Sequence, residues 1–198
     1  MTVNDGTATG TTHGSMADAE LVSTEVLLAK PKRVVREDLK MPDGRVIDWY
    51  FMDTPDSVMV VPLTNDGRLV FVRQYRHNLK KHCIELPAGA VSAGEDPAEA
   101  ALRELEEETG YRLAEGEELV SLGRFYSLPS ETNKYTNFYF ARVTWDHEPI
   151  LDNEIEAYFD MSVVTIPAAD VFSRLAGEIN GMETAGALML SQRYIAAA

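Results

Sequence analysis

Residues 89–111 read GAVSAGEDPAEAALRELEEETGY, and the fold class follows from how this stretch must behave. Asp96 is a good helix N-cap, Pro97 suits the first helical position and Glu99 stands at capping-box spacing. Gly110 follows the last periodic residue, where a left-handed cap is commonly needed. Ala98, Ala101, Leu102 and Leu105 recur at helical spacing, which predicts an amphipathic helix with one apolar stripe. At roughly 100° per residue, Glu104, Glu107 and Glu108 fall together on a neighbouring face, while Glu106 points elsewhere, toward solvent. Crowding like charges on a helix costs roughly 0.2–0.5 kcal/mol for each pair. A hard divalent cation reverses that sign, because such ions take oxygen ligands. We therefore read the helix as a metal-binding element.

Working outward, β-branched runs bounded by turn signals predict strands at 33–39, 46–52, 58–63 and 69–74 before the helix. Pro42-Asp43-Gly44 and Asn65-Asp66-Gly67 mark hairpin-like turns. After the helix come strands near 119–126, 136–143 and 157–164, then helices near 168–175 and 184–196. This order argues for an α+β fold, a mixed β-sheet sandwiched between α-helices with an N-terminal antiparallel strand region. Residues 1–20 are Gly/Thr-rich and lack periodicity, so they are expected to be a disordered tail before one domain, 21–198.

Composition narrows the function. Eighteen basic against thirty-two acidic residues give a formal charge of −14, which argues against a nucleic-acid partner. One cysteine, Cys83, excludes an intramolecular disulfide, fits a reducing compartment and is expected to be a packing residue in a strand. No apolar run approaches the roughly 18 residues that span a membrane, and no signal peptide opens the chain. A cytoplasmic protein with no membrane partner is expected.

By spacing, the opening stretch runs Gly89, five residues, Glu95, seven residues, then Arg103-Glu104-Leu105-Glu106-Glu107-Glu108-Thr109-Gly110-Tyr111. This resembles the Nudix box, G-x5-E-x7-R-E-U-x-E-E-x-G-U with U a bulky apolar residue, and Tyr111 fills the last U. The stretch VVPLTNDGRLVFVRQYRHNLKKHCIELPAG before it and GEINGMETAGALML after it are similar to the ADP-ribose pyrophosphatase branch. The resemblance implies the Nudix fold and Mg²⁺, with Mn²⁺ as a possible substitute. It assigns Glu104 and Glu108 as principal metal ligands, Glu107 as their assistant and the carbonyl of Ala88 as a backbone ligand. Arg103 is implied to orient one of these acids or Glu95. Gly89, Gly94 and Gly110 are read as turn residues.

The same resemblance places a general base in a later loop, either Glu154 or Glu156, with Glu154 favoured. Arg76 matches a phosphate-contacting arginine and Glu85 a substrate-contacting acid. Arg73, three positions from Arg76, falls on the opposite face of a regular strand and is a second phosphate candidate. Trp49 and Tyr50 are candidates to stack on a base. Substrate choice is expected to reside in residues 127–135, SLPSETNKY, where Ser130 follows Pro129 at a position usually held by glycine. ADP-ribose and other nucleoside diphosphate sugars thus both stand as substrates. The likeness also implies a homodimer, with residues 21–56 contributing. Two other readings differ in class: a non-catalytic Nudix-like nucleotide sensor, and a hydrolase of another nucleotide such as coenzyme A.

Overall fold

Val58-Met59-Val60-Val61-Pro62-Leu63 offers no polar side chain to either face of a strand, which requires cover on both sides. The computed structural model describes residues 14–30, 32–150 and 156–196, of 156 and 157 the backbone only, and it supplies that cover. The chain divides into two compact units: one reaches to Thr54 and includes Ser130–Asn133, and the other holds Pro55–Pro129 and the chain from Lys134 on.

The larger unit is built on an eight-stranded sheet. Its strands are β4 (Ser57–Thr64), β5 (Arg68–Arg76), β6 (Lys81–Glu85), β7 (Ala88–Ala90), β8 (Tyr111–Leu113), β9 (Val120–Tyr126), β10 (Tyr135–Trp145) and β11 (Ser162–Pro167). The path runs β11-β5-β4-β10-β8, with β6 on β5, β7 on β4 and β9 on β10. β4 and β10 pair parallel, and the other pairings within this sheet are antiparallel, so the sheet is mixed. Strand parity sorts the core. Val58, Val60 and Val70 pack with Ala100, Ala101 and Leu105 of helix α1 (Pro97–Thr109). Met59, Val61, Leu63, Leu69 and Phe71 pack with Ala187, Leu188 and Ile195 of helix α3 (Met182–Ile195). This is the sandwich expected for an α+β chain.

The N-terminal unit is an antiparallel sheet in the order β1 (Glu20–Leu28), β2 (Arg33–Lys40) and β3 (Val46–Asp53). Gly44, at φ 87°, makes the β2–β3 turn, as Pro42-Asp43-Gly44 predicts. In this unit, Met52 N–H donates to Glu131 O at 2.8 Å and Thr54 N–H to Asn133 Oδ1 at 3.1 Å.

Several expectations need correction. β1 is an additional strand, and Met16–Asp18 form a 3₁₀ turn capped by Ser15; positions 1–13 of the expected tail lie outside the described residues. The strand expected at 157–164 begins only at Ser162, because Glu156–Phe159 is a 3₁₀ turn and Asp160 sits at φ 49°. The helix expected at 168–175 is a short α2 (Ala168–Val171) that tightens to 3₁₀ over Phe172–Arg174. The buried stripe of α1 is Ala100, Ala101, Leu105 and Thr109, while Ala98 and Leu102 are half-buried.

Candidate active site

The caps of α1 form as its sequence dictates. Asp96 accepts from Ala98 N–H at 2.8 Å, Pro97 opens the helix and Gly110, at φ 70°, closes it. The acids are thereby held in register on a helix that starts just beyond β7. Ala88 N–H donates to Glu108 Oε2 at 2.9 Å, which fixes one end of the acid cluster to the strand that carries the candidate backbone ligand.

Arg103 is the hub of the other end. Its Nε donates to Glu95 Oε1 at 2.9 Å and Nη2 to Glu95 Oε2 at 3.1 Å and Ala90 O at 3.2 Å. Nη1 donates to Glu104 Oε1 at 2.8 Å and Glu107 Oε2 at 3.0 Å. All five guanidinium donors are committed, a load that lysine could not carry. The Arg103 hydrogen bonds hold the Glu95 carboxyl at a pKa of about 2, aided by Ser92 N–H. The same contacts push Arg103 further above its ordinary range. Arg103 thus gathers two of the three acids and Glu95, where the sequence reading expected one partner.

Gly89 has a role the sequence reading missed. A Cβ built on it would lie 1.9 Å from Glu104 Cδ and 2.0 Å from Oε1. Its φ is not in the left-handed region, unlike Gly94 at 82° and Gly110 at 70°. Gly89 is therefore not a turn residue; its missing side chain makes the space that the Glu104 carboxylate fills. That cradle, lined by carboxylate oxygens and backbone, has the donor chemistry a hard divalent cation requires.

Arg76 and Glu85 meet on the α1 side of β5. Arg76 Nε lies 3.1 Å from both Glu85 oxygens, and its Nη2 also donates to Oε2. Gln74 Nε2 donates to Glu85 Oε2 at 3.1 Å. The Glu85 contacts raise the Arg76 pKa most, and Glu108 adds to the rise, so Arg76 and Glu85 share an electrostatic environment with helix α1. Arg73 pairs with Ile84 on the opposite face of β5, as parity requires, and stands outside this network. Gln74, only 4% exposed, was not anticipated; a polar residue in a buried run was its sequence signal.

Other candidates fall elsewhere. Trp49 is exposed on β3, opposite Glu37, and Tyr50 donates to Asp48 Oδ2 at 2.8 Å. Glu154 lies outside the described residues, and Glu156 opens the 3₁₀ turn Glu156–Phe159. Glu106 is not simply solvated: it faces His147 Nε2 at 3.1 Å. The Glu148 carbonyl, followed by Glu106, holds the imidazole of His147 above its usual pKa. Asp146 and the half-buried His147 gather with Glu106, which α1 carries apart from the acids held by Arg103. Cys83 is buried in β6, as expected of a packing residue. No helix among the described residues is long and apolar enough to cross a membrane.

Comparison with known proteins agrees with this geometry. The NUDIX domain family matches residues 53–177. A methanol dehydrogenase activator of Bacillus methanolicus is 32% identical over 159 residues, covering 79% of this chain and 83% of that one. An ADP-ribose pyrophosphatase of Mycobacterium tuberculosis is 31% identical over 175 residues, 86% and 82% of the two chains. An ADP-ribose pyrophosphatase of Bacillus subtilis is 30% identical over 127 residues, 64% and 67%. The fold matches that of a crystallised ADP compounds hydrolase, with a TM-score of 0.74 and 22% identity over 93% of this chain and 97% of the other. A complete box on a capped helix, matched along most of the chain by relatives of this kind, shows that the protein belongs to the NUDIX family, on its ADP-ribose pyrophosphatase branch.

Proposed function

We propose that this pyrophosphatase hydrolyses ADP-ribose or a related nucleoside diphosphate sugar, yielding a nucleoside monophosphate and a sugar phosphate. The observation that carries the reading is that Glu108 is tied to Ala88, three residues after the Glu85 that Arg76 holds, beside acids that already gather around a cation, Arg103. Oxygen-only donors suit Mg²⁺, with Mn²⁺ as a substitute. Glu104, Glu107, Glu108 and the carbonyl of Ala88 would hold it. When bound, such an ion neutralises phosphoryl oxygens and acidifies a coordinated water.

The chain's own residues supply the rest. Arg103 holds Glu104 and Glu107 aimed together. Arg76 spends Nε and Nη2 on Glu85, which leaves Nη1 for a phosphate oxygen, a good match for a guanidinium. Glu154 or Glu156 is assigned to take the proton from the attacking water. Trp49, exposed on β3, stays a candidate to stack on the base, and Arg73 a weaker phosphate contact. On the single cysteine we place the protein in the cytoplasm.

A homodimer is part of this proposal. Every residue of β1 is exposed, including Leu21, Val26, Leu27 and Leu28, an apolar strand that a second copy would cover. Regulation of a partner by a nucleotide-binding Nudix module is favoured only by the name of the B. methanolicus relative. A panel of ADP-ribose, other sugar nucleotides and coenzyme A, incubated with Mg²⁺ and resolved by ³¹P NMR, tests the proposal. AMP and ribose 5-phosphate from ADP-ribose, or the equivalent pair from another sugar nucleotide, are expected. A folded protein that cleaves none of the sugar nucleotides would overturn it.

A further inference from the structure

Glu183, in the first turn of α3, gathers side chains from two separate segments. Its Oε1 accepts from Ser127 Oγ at 2.6 Å and Thr136 Oγ1 at 2.7 Å, and lies 3.7 Å from Lys134 Nζ. Ser127 begins the 127–135 loop, Lys134 stands near its end and Thr136 just beyond it on β10. Thr136 has one hydroxyl proton and gives it to Glu183, so Ser57 Oγ, 2.9 Å away, must be the donor to Thr136. The donations from Ser57 through Thr136 and from Ser127 therefore converge on Glu183 and close the neck of the loop. Burial pushes the Glu183 pKa up, but the hydroxyl donors and Lys134 outweigh it and hold the carboxylate ionised.

Thr136 pairs with Ser57 on β4, and Ser57 pairs with Ala90 on β7, so two strand spacings, about 10 Å, separate the backbones of Thr136 and Ala90, with the neck on the α3 face of the sheet and the Gly89 cradle on its α1 face. The next residue of α3, Thr184, accepts from Leu86 N–H at 3.4 Å, two residues before Ala88. One helical turn thus holds both the lead-in to the metal-binding strand and the ends of the 127–135 loop. A half-buried carboxylate bearing three polar contacts is a costly substitute for an apolar residue if only packing were needed.

We propose that Glu183 is a positioning residue that fixes the ends of the 127–135 loop beside the metal-binding strand and thereby sets which sugar nucleotide is accepted. The proposal rests on the sugar-nucleotide reading above. Glu183→Gln keeps an acceptor for the two hydroxyls and loses the charge; Lys134→Met removes only the cation; Glu183→Ala removes every contact.

Hydrogen exchange of the 127–136 peptides should quicken about tenfold or more in Glu183→Ala, the scale of one lost charge-assisted hydrogen bond, with exchange in α1 unchanged. KM should rise about tenfold with kcat within about threefold, unequally for two substrates that differ in the sugar, and Glu183→Gln should recover much of the loss. Should Glu183→Ala not fold, Glu183→Gln and Lys134→Met must still show faster exchange at the neck. Native exchange and native selectivity in the variants would overturn the proposal, as would a fall in kcat at constant KM. A native protein that turns over no sugar nucleotide refutes the function instead, and the exchange arm still decides whether Glu183 anchors the loop.

Discussion

Gly89→Ala separates two ideas about the box glycine. If Gly89 only shapes the chain, the variant loses stability; if it makes room for Glu104, the variant keeps its fold and loses its metal. The new Cβ would stand 1.9 Å from Glu104 Cδ and 2.2 Å from Oε2, with no strained φ to resist it. Glu104 must retreat by about 2 Å or swing out, since non-bonded carbons settle near 3.5–4.0 Å. In doing so it breaks the 2.8 Å bond to Arg103 Nη1. A misplaced ligand costs about 10–100-fold in metal affinity, and an error of about 1 Å at a reacting centre costs about 10²-fold in rate. The folded state fares differently. Replacing glycine in a strand returns about 0.5–1 kcal/mol, and a partly exposed ion pair forfeits about 0–1 kcal/mol. The two nearly cancel, so Tm should move by less than about 4 °C. Calorimetric Mn²⁺ titration, turnover and a thermal melt on one preparation decide the matter. Native affinity and turnover would refute the cradle, and a melt lowered by more than about 10 °C would mean that Gly89 serves the backbone.

The neighbouring glycine of the same motif should fail in the opposite way. At Gly110 a Cβ would meet the backbone oxygen of His147 at 1.7 Å, and φ is 70°, so Gly110→Ala is expected to cost roughly 2–4 kcal/mol and lower Tm by about 5–15 °C; a native melt would refute it. Glu95 has its pKa lowered from an ordinary 4.5 to about 2, so the stability it contributes is complete above pH 4.5 and is lost as pH falls from there through about 2. Its carboxyl carbon followed by NMR should titrate near 2, and a midpoint near 4.5 would show that Arg103 does not hold it. Arg76→Lys removes the forked contact with Glu85 and should raise KM for the sugar nucleotide about tenfold with little change in kcat, an outcome that steady-state kinetics read directly.

The box helix was legible because its signals are local: cap, proline, glycine and carboxylate spacing all lie within 89–111. The sandwich was legible in the order of elements, strands before and after the box helix and helices at the end, which argues for a mixed sheet covered on both faces. β1 was not, since Glu20–Leu28 is exposed along its whole length and lacks the alternation that marks a half-buried strand. Asp160, at φ 49°, interrupts a run that otherwise reads as continuous strand. The cradle at Gly89 and the neck at Glu183 were hidden for a common reason. Each depends on a contact between distant segments, 89 with 104 and 183 with 127, 134 and 136, and no periodicity encodes such contacts. An acid in the first turn of α3 was the one sequence hint of the second, and it reads equally well as a favourable partner for the helix dipole. His147 on Glu106 is a third case, a pairing across 41 positions.

The central claim is that the box acids hold the metal that drives pyrophosphate cleavage, and Glu108→Gln tests it most directly. The native protein and the variant, stripped with chelator, would be titrated with Mg²⁺ while release of AMP from ADP-ribose is followed. The account predicts saturable, Mg²⁺-dependent turnover in the native protein and a loss of about 10²-fold or more in the folded variant. Turnover that needs no divalent ion, or a variant as active as the native protein at the same Mg²⁺ concentrations, would contradict it.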